Sequence, residues 1–482
     1  MSAFLGIDVG TTGTKALLLD TEKGVIGEAE RPTQLHSPHA GWAEENTTEW
    51  WSNVCAVTGE LASRVNICGV GVTGMVPCTI LLDGTGSPLR MSIQQNDART
   101  GEEVGELNRK LADRRVLQRT GSAITQQATA PRFLWLARHE PEIWSRARTV
   151  LGSYDYITMR LTGERNVEAN WALETGLFDI KKGDWADDVL AASGGSRNLL
   201  PRIRRAEEVV GRVTAAAARE TGLPEGVPVV AGSADHIGAT FASGILDDGD
   251  LLIKLGGAGD IMLAVNEPIV DERLYLDYHL LPGQYVMSGC MATSGSLIKW
   301  FQRELGAGVP LPELDEEAGR VEAGSGGVVA LPYFLGEKTP INDPGATGAF
   351  VGLRLTHGRG HLFRAVLEAI GFGFRHHLDV FTERGHAPRR VRVTDGGSRS
   401  RVWTQITADI LGLALEKVTM RSGSAFAAAF VAGLGEGAFS GWRDIERFIV
   451  VSEVIEPHPC AAYERNYRIY RALYPTLKEV LS

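Results

Sequence analysis

The stretch GIDVGTTGTKALLLD, residues 6–20, sets an apolar strand carrying one carboxylate, Asp8, against a Gly-Thr-Thr-Gly corner and a second apolar strand. A simple hairpin is served by a two-residue turn such as Asn-Gly. This corner reads as longer, and it is built from small residues and hydroxyls. Its backbone N–H groups and threonine hydroxyls suit a phosphate, and Asp8 suits the water shell of a magnesium ion. An ordinary hairpin is the competing reading of the same residues. No helix follows the glycines directly. TEKG (21–24) supplies a turn and VIGEA (25–29) a third short strand, which predicts an antiparallel meander. A P-loop needs G-x-x-x-x-G-K-[ST] opening a helix, and here Lys15 is followed by Ala16, so that reading fails.

Working outward, the pattern recurs. Residues 251–265, LLIKLGGAGDIMLAV, again give apolar strand, glycine corner, apolar strand. Two such hairpins, one near the start of each half, predict a duplicated architecture with two lobes facing a cleft. The acidic stretch ILDDGD (245–250) has turn chemistry and divides the chain into lobes 1–244 and 245–482. GVGVTGMV (69–76) and VPVVAGSAD (227–235) read as further buried strands. Helical periodicity predicts helices over 361–385, with Phe363, Val366, Leu367, Ile370 and Phe374 on one face, and over 401–412. Strand and helix patterns alternate throughout, so the class is α/β.

The 482 residues are too many for one core. A hydrophobic content of 44% with 22% charged residues is that of a soluble globular protein. The net charge of −10 argues against nucleic acid as a main partner, while leaving room for a local nucleotide site. Five scattered cysteines without a C-x-x-C pair suit a reducing cytoplasm. The N-terminal residues, interrupted by Asp8, predict no secretory leader, and no run approaches a membrane span.

Two further elements carry chemistry. TDGGSRS (394–400) lies between a strand and the helix opening near Arg401, where Gly396 and Gly397 let backbone approach a flat ligand. Asp235 ends VPVVAGSAD and opens HIGATFASGI. An N-cap is the default for an aspartate there. The functional reading is a general base at a strand's C-terminal edge, flanked by small residues, of the kind that orients and deprotonates the hydroxyl attacking ATP. Other patterns carry less. The histidines do not sit with cysteines at zinc spacing, and Gly358 and Gly360 interrupt the pair His357 and His361. No G-x-S-x-G elbow is present. Trp42, Trp50 and Trp51 read as packing residues.

Taken in order, GIDVGTTGTKALLLD, GWAEENTTEWW (41–51), NDAR (96–99), APRFLWLARHEPEIW (130–144), YDYITMRLTGE (154–164), VPVVAGSAD, LPYFLGEKTPINDPGATGAFVGL (331–353), RAVLEAIGFG (364–373) and DGGSRSRVWTQITADILG (395–412) resemble the FGGY carbohydrate kinases, most closely the xylulokinase-like branch. The resemblance spans nearly the whole chain. It implies an actin/hexokinase-like (ribonuclease H-like) fold with a central cleft, and a cytoplasmic enzyme phosphorylating a sugar with ATP and Mg²⁺, with a homodimer as the assembly suggested by the family. By position it implies Asp235 as the base and Asp8 beside Mg²⁺, through water. Gly10, Thr11 and Thr12 would form one phosphate loop, and Gly256, Gly257, Ala258 and Gly259 the other. Gly295, Lys299, Gly396, Gly397 and Arg401 would border the nucleotide. Val76, Pro77, Asn96, Asp97, Asp235 and His236 would contact the sugar. Five positions depart from the family. Val76-Pro77 replaces the Met-His of xylulokinases and the Arg-Glu of glycerol kinases. His236 replaces Asn or Gln, Gly257 a threonine, and Asp260 an apolar residue. The implied reaction is D-xylulose to D-xylulose 5-phosphate. Ribulose or a tetritol is the alternative acceptor, with glycerol least favoured. A non-catalytic sensor is the alternative of another class, against which the retention of Asp8 and Asp235 speaks.

Overall fold

The computed structural model describes residues 2–112, 115–419 and 422–481. In the first half, strands β1 (Ser2–Gly10), β2 (Gly13–Asp20) and β3 (Gly24–Pro32) form the expected meander. β4 (Asn66–Gly74) then joins β1 in parallel, followed by β5 (Val209–Arg212), β6 (Pro228–Val230) and β7 (Ser233–Ala234). The sheet order is β5-β6-β4-β1-β2-β3, with β7 also on β4. Helix α1 (Thr47–Ala62) covers β2 and β3, and α2 (Asp235–Ala242) follows β7 without a break.

The second half repeats this plan. β8 (Asp250–Leu255), β9 (Gly259–Val265), β10 (Tyr275–Tyr278), β11 (Tyr285–Met291), β12 (Arg390–Thr394), β13 (Leu415–Val418) and β14 (Val451–Ile455) are ordered β10-β11-β9-β8-β12-β13-β14. From β3 to β5 the pairings run antiparallel, antiparallel, parallel, parallel, antiparallel. From β11 to β14 they run in the same sequence. The two glycine hairpins, β1–β2 and β8–β9, therefore occupy equivalent places in equivalent sheets. Helices α3 (Gly295–Glu304), α4 (Arg359–Glu383) and α5 (Arg401–Leu411) pack around the second sheet.

The residues explain the layers. Phe4, Leu5, Ile7 and Val9 are all buried, a near-continuous apolar run of the kind a doubly covered strand requires. Each such side chain contributes roughly 1.5–3 kcal/mol of burial. The cover on the face away from α1 is α6 (Gly423–Gly435), GSAFAAAFVAGLG, which lies on β1 and β4. Its alanines let backbone approach backbone, and a Cβ on Gly6 or Gly71 would overlap the carbonyl oxygens of Ala425 or Ala428.

Two expectations change at this level. The Gly-Thr-Thr-Gly corner is a two-residue turn after all, because Gly10 pairs with Gly13 and only Thr11 and Thr12 remain outside the ladder. Neither threonine has positive φ, so the turn is not a primed type and tolerates side chains. The long helix is buried on more than one face: besides the five expected residues, Arg364 and Glu368 are buried as a hydrogen-bonded pair at 2.8 Å. Helix α6, from the second half, also packs into the first half's core.

Candidate active site

A cavity of about 270 Å³ opens between the two halves. Thr11, Val76, Pro77, Asp235 and His236 line it from one side, and Lys254, Ala258, Asp260, Asp277 and Lys338 from the other. Asp235 arrives there by sheet geometry. Ser233 and Ala234 pair with Thr73 and Gly74 of β4, and the chain turns into α2 at Asp235. Asp8 stands on the opposite side of the same β4 residue, paired with Thr73. With strands about 4.8 Å apart, two strand spacings put these two carboxylates on one sheet edge.

Asp235 does act on the helix start: its Oδ1 accepts the His236 N–H at 2.7 Å. The carboxylate still faces the cavity. Burial pushes its pKa up, but the hydrogen bond and positive charge of His236, with the charge of Lys254, bring it below the usual carboxylate range. His236 is itself surrounded. Its Nδ1 lies 3.7 Å from Asp235 Oδ1, and its Nε2 lies 3.4 Å from Asp277 Oδ2 and 3.8 Å from Glu174 Oε1. Burial works against the imidazolium, and these carboxylates overcome it, holding its pKa well above the ordinary value. Glu174 is pushed well up by burial and by the charge of Asp277. Glu174 Oε1 and Asp277 Oδ1 are enclosed oxygens with no hydrogen-bond donor among the described residues, which suits a ligand rich in hydroxyls.

Asp8 accepts one hydrogen bond on each oxygen, from Thr73 Oγ1 at 3.2 Å and from Ser424 Oγ at 2.7 Å. Burial first, and the charge of Asp235 second, raise its pKa to about 6. A buried carboxylate held near a second one, with lone pairs to spare, fits the water shell of a hard divalent cation.

The second corner, Gly256-Gly257-Ala258, is pinned by the start of α3. Gly295 N–H donates to Gly256 O at 2.8 Å, and the Ser294 and Ser296 N–H groups donate to Gly257 O at 2.9 and 3.0 Å. In a planar trans peptide the N–H points opposite the C=O, so the N–H groups of Gly257 and Ala258 point away from α3. Gly295 serves this close approach, since a Cβ there would sit 2.7 Å from Gly256 O. Lys254 and Asp260 stand opposite one another across the hairpin, Nζ to Oδ2 3.4 Å.

The structure thus brings together Thr11, Ala258, Asp235, His236, Val76 and Pro77 at the cavity, with Asp8 beside Thr73 in the sheet and outside the cavity lining. Gly10 precedes Thr11 at the hairpin, Thr12 is exposed at its tip, and Gly259 is buried at the start of β9. Gly257 is exposed, with open space where a Cβ would be. Asn96 and Asp97 fall outside the cavity lining. Asn96 is exposed, and the Asp97 carboxylate accepts the Ala43 N–H at 2.6 Å and pairs with Arg99 at 2.7 Å. Their neighbour Gln95 lines the cavity instead. Gly397 sits where a Cβ would overlap the Trp403 ring, Gly396 is exposed, and Arg401 is 86% exposed near Glu453. Lys299 is exposed on α3. The loop of Gly396 adjoins the second corner, for a Cβ on Gly256 would lie 3.1 Å from Asp395 Oδ2. Sequence reading missed Gln95, Glu174, Lys254, Asp277 and Lys338. The signal for Lys254 was available: across a three-residue corner, positions 254 and 260 must face each other.

Residues 3–242 match the N-terminal domain, and residues 256–435 the C-terminal domain, of the FGGY family of carbohydrate kinases. Xylulose kinase of Escherichia coli (strain K12) is 30% identical over 488 residues, covering 99% of this chain and 100% of that one. The Lactococcus lactis xylulose kinase is 29% identical, over 100% and 98%. Among solved structures, xylulose kinase from Rhodospirillum rubrum superposes with a TM-score of 0.93 at 46% identity, over 99% of each chain. A Brucella ovis structure titled as a xyloylose kinase gives 0.92 at 29%, over 99% and 100%. With two equivalent sheets, a cleft between them, and both halves matched in order, this chain belongs to the FGGY family of carbohydrate kinases.

Proposed function

We propose that the enzyme transfers the γ-phosphoryl group of ATP to a primary hydroxyl of a ketopentose, with D-xylulose giving D-xylulose 5-phosphate as the reaction. The carrying observation is Asp235, an ionised carboxylate facing the cavity between the two glycine hairpins, with Asp8 across β4. The sugar is supported by the relatives named above. In this reading Asp235 accepts the hydroxyl proton as the oxygen attacks, and His236 keeps that carboxylate charged and oriented. The backbone N–H groups of the Thr11-Thr12 turn and of Gly257 and Ala258 receive the phosphates, and Gly396, Gly397, Lys299 and Arg401 border the nucleoside. Magnesium bound with ATP would neutralise the β- and γ-phosphates, and Asp8 would hold its water shell. Glu174 Oε1 and Asp277 Oδ1 accept sugar hydroxyls.

Val76-Pro77 supplies an apolar wall that favours no single ketose, so ribulose or a tetritol is the second reading. Cytoplasmic placement agrees with five free cysteines and with the absence, among the described residues, of a helix long and apolar enough to cross a membrane. A homodimer would have an exposed apolar ridge available at Val351, Leu353 and Leu355. Steady-state ADP release over a panel of ketoses and polyols tests the assignment. D-xylulose is expected to give the highest kcat/KM, and another best substrate replaces it. Asp235→Ala is expected to lower kcat at least ~10²-fold at saturating sugar. Near-normal turnover would remove Asp235 from the role of base.

A further inference from the structure

The strands that carry the second glycine corner also carry a charge pair which the mechanism has so far left idle. Lys254 and Asp260 face each other in register, flanking a corner whose residues, Gly256, Gly257 and Ala258, bring no side-chain donor. Besides Asp260, the carboxylates that act on Lys254 are Asp395, after β12, and Asp235. Lys254 borders the cavity together with Thr11, Ala258 and Asp235. Those three residues mark the path of the transfer, with the phosphate corners on one side and the attacking hydroxyl on the other.

A purely structural role accounts poorly for this pair. A half-buried ion pair gives little net stability, because desolvation offsets most of the attraction, and two apolar residues would pack as well. Lys254 is acted on by Asp395 and Asp235 besides its hairpin partner, so it is not a closed pair with Asp260. Burial disfavours the ammonium, yet the carboxylates raise its pKa above the ordinary lysine value, so it stays charged across the working pH range.

We propose that Lys254 is a further catalytic residue, whose ammonium donates to a non-bridging oxygen of the γ-phosphoryl group in transit while Asp260 holds it in place. The proposal rests on the kinase reading of this cavity. In the step, the bond from the γ-phosphorus to the β–γ bridging oxygen breaks, leaving its electron pair on ADP. The new P–O bond forms from the sugar oxygen, whose proton passes to Asp235. Lys254 keeps its three protons and serves only to stabilise charge, where the glycine at 257 offers no hydroxyl.

The test compares Lys254→Met, Lys254→Arg and the double variant Lys254→Gln/Asp260→Asn, the last retaining a neutral hydrogen-bonded pair so that folding is preserved. Lys254→Met and the double variant are expected to lose roughly 10²–10³-fold in kcat, the scale of one lost charge-stabilising donor. KM for the sugar should stay within about threefold, as for a contact made in the transition state. Lys254→Arg should fall between them and wild type. The rate ratio between ATP and ATPγS, whose sulfur replaces a non-bridging γ-oxygen, should shrink in Lys254→Met, because the group that senses that oxygen has gone. A lysine that only supports the hairpin would lower the melting temperature and leave this ratio unchanged, and that result overturns the proposal. So does a kcat for Lys254→Met close to wild type. Wild-type protein that forms no ADP with any sugar would instead remove the kinase reading itself, and this role with it.

Discussion

At Asp235 two influences oppose each other on a single carboxylate. Burial disfavours its charge, while the neighbouring imidazolium and ammonium favour it, and the second influence prevails. His236 is thus the residue that keeps the proposed base charged. Replacing it with Gln, a residue of the kind more usual in the family, removes the positive charge and leaves the backbone N–H bond in place. The carboxyl pKa then rises. Since a base must be deprotonated to act, the acid limb of the kcat–pH profile is expected to move to higher pH. Activity relative to wild type should fall most below neutrality and recover toward pH 8. An acid limb that stays in place would show that His236 does not set the charge of Asp235. This cluster was only partly legible in the sequence. Asp235 and His236 are adjacent and end a strand, whereas Glu174 and Asp277 come from distant segments, where each is one charge in an apolar run. Near Asn96 and Asp97 the reading missed by a residue or two: a loop exposes Gln95 and turns Asp97 into an internal ion pair, and no periodicity fixes which side chain faces inward.

Strand-and-helix periodicity carried most of the fold. The meander β1–β3, the repeated hairpin β8–β9 and the strand-to-helix turn at Asp235 all follow from local patterns, because apolar runs and small-residue corners are set by neighbours in the chain. What periodicity cannot give is which helix covers which sheet. The alanine-rich segment 423–435 has apolar residues on every face and so carries no directional signal. Its destination is recorded instead in the glycines of the strands it covers. Gly6 and Gly71 have no room for a Cβ beneath α6. Gly71→Ala is therefore expected to destabilise by roughly 3 kcal/mol or more through overpacking of backbone against backbone. It should lower the melting temperature by several degrees or abolish soluble expression. Gly84→Ala, placed in open space, is the control and should melt within about a degree of wild type, as surface changes do. Equal melting of the two variants would mean that α6 does not lie on this sheet.

On the scale of the molecule, the groups proposed to carry the transfer are divided between two bodies of one design. Thr11 and Asp235 belong to the first sheet and its helix, and Lys254 and Ala258 to the second. The helices α2 and α6 pack on one another, and both begin at the site, α2 with Asp235 and α6 with Ser424 in its first turn, which holds Asp8. Relative rotation of the halves about this helix pair would change the distance between the phosphate corners and the base while leaving each sheet intact. A kinase needs such closure, because water competes with the sugar as acceptor unless it is excluded. Groups from both halves line the cavity, so neither ligand alone should draw the halves fully together: the triphosphate with its metal meets the two glycine corners, and the sugar meets Asp235, Glu174 and Asp277. Small-angle scattering is expected to show a radius of gyration near 23 Å for the free enzyme, falling by roughly 1 Å only with sugar and a non-hydrolysable ATP analogue together with Mg²⁺. Either ligand alone should give a smaller change, and chelating the Mg²⁺ with EDTA should reverse the contraction. A radius that does not respond to both ligands would mean that the two hairpins already stand at their working distance, and that water is kept out by the cavity walls alone.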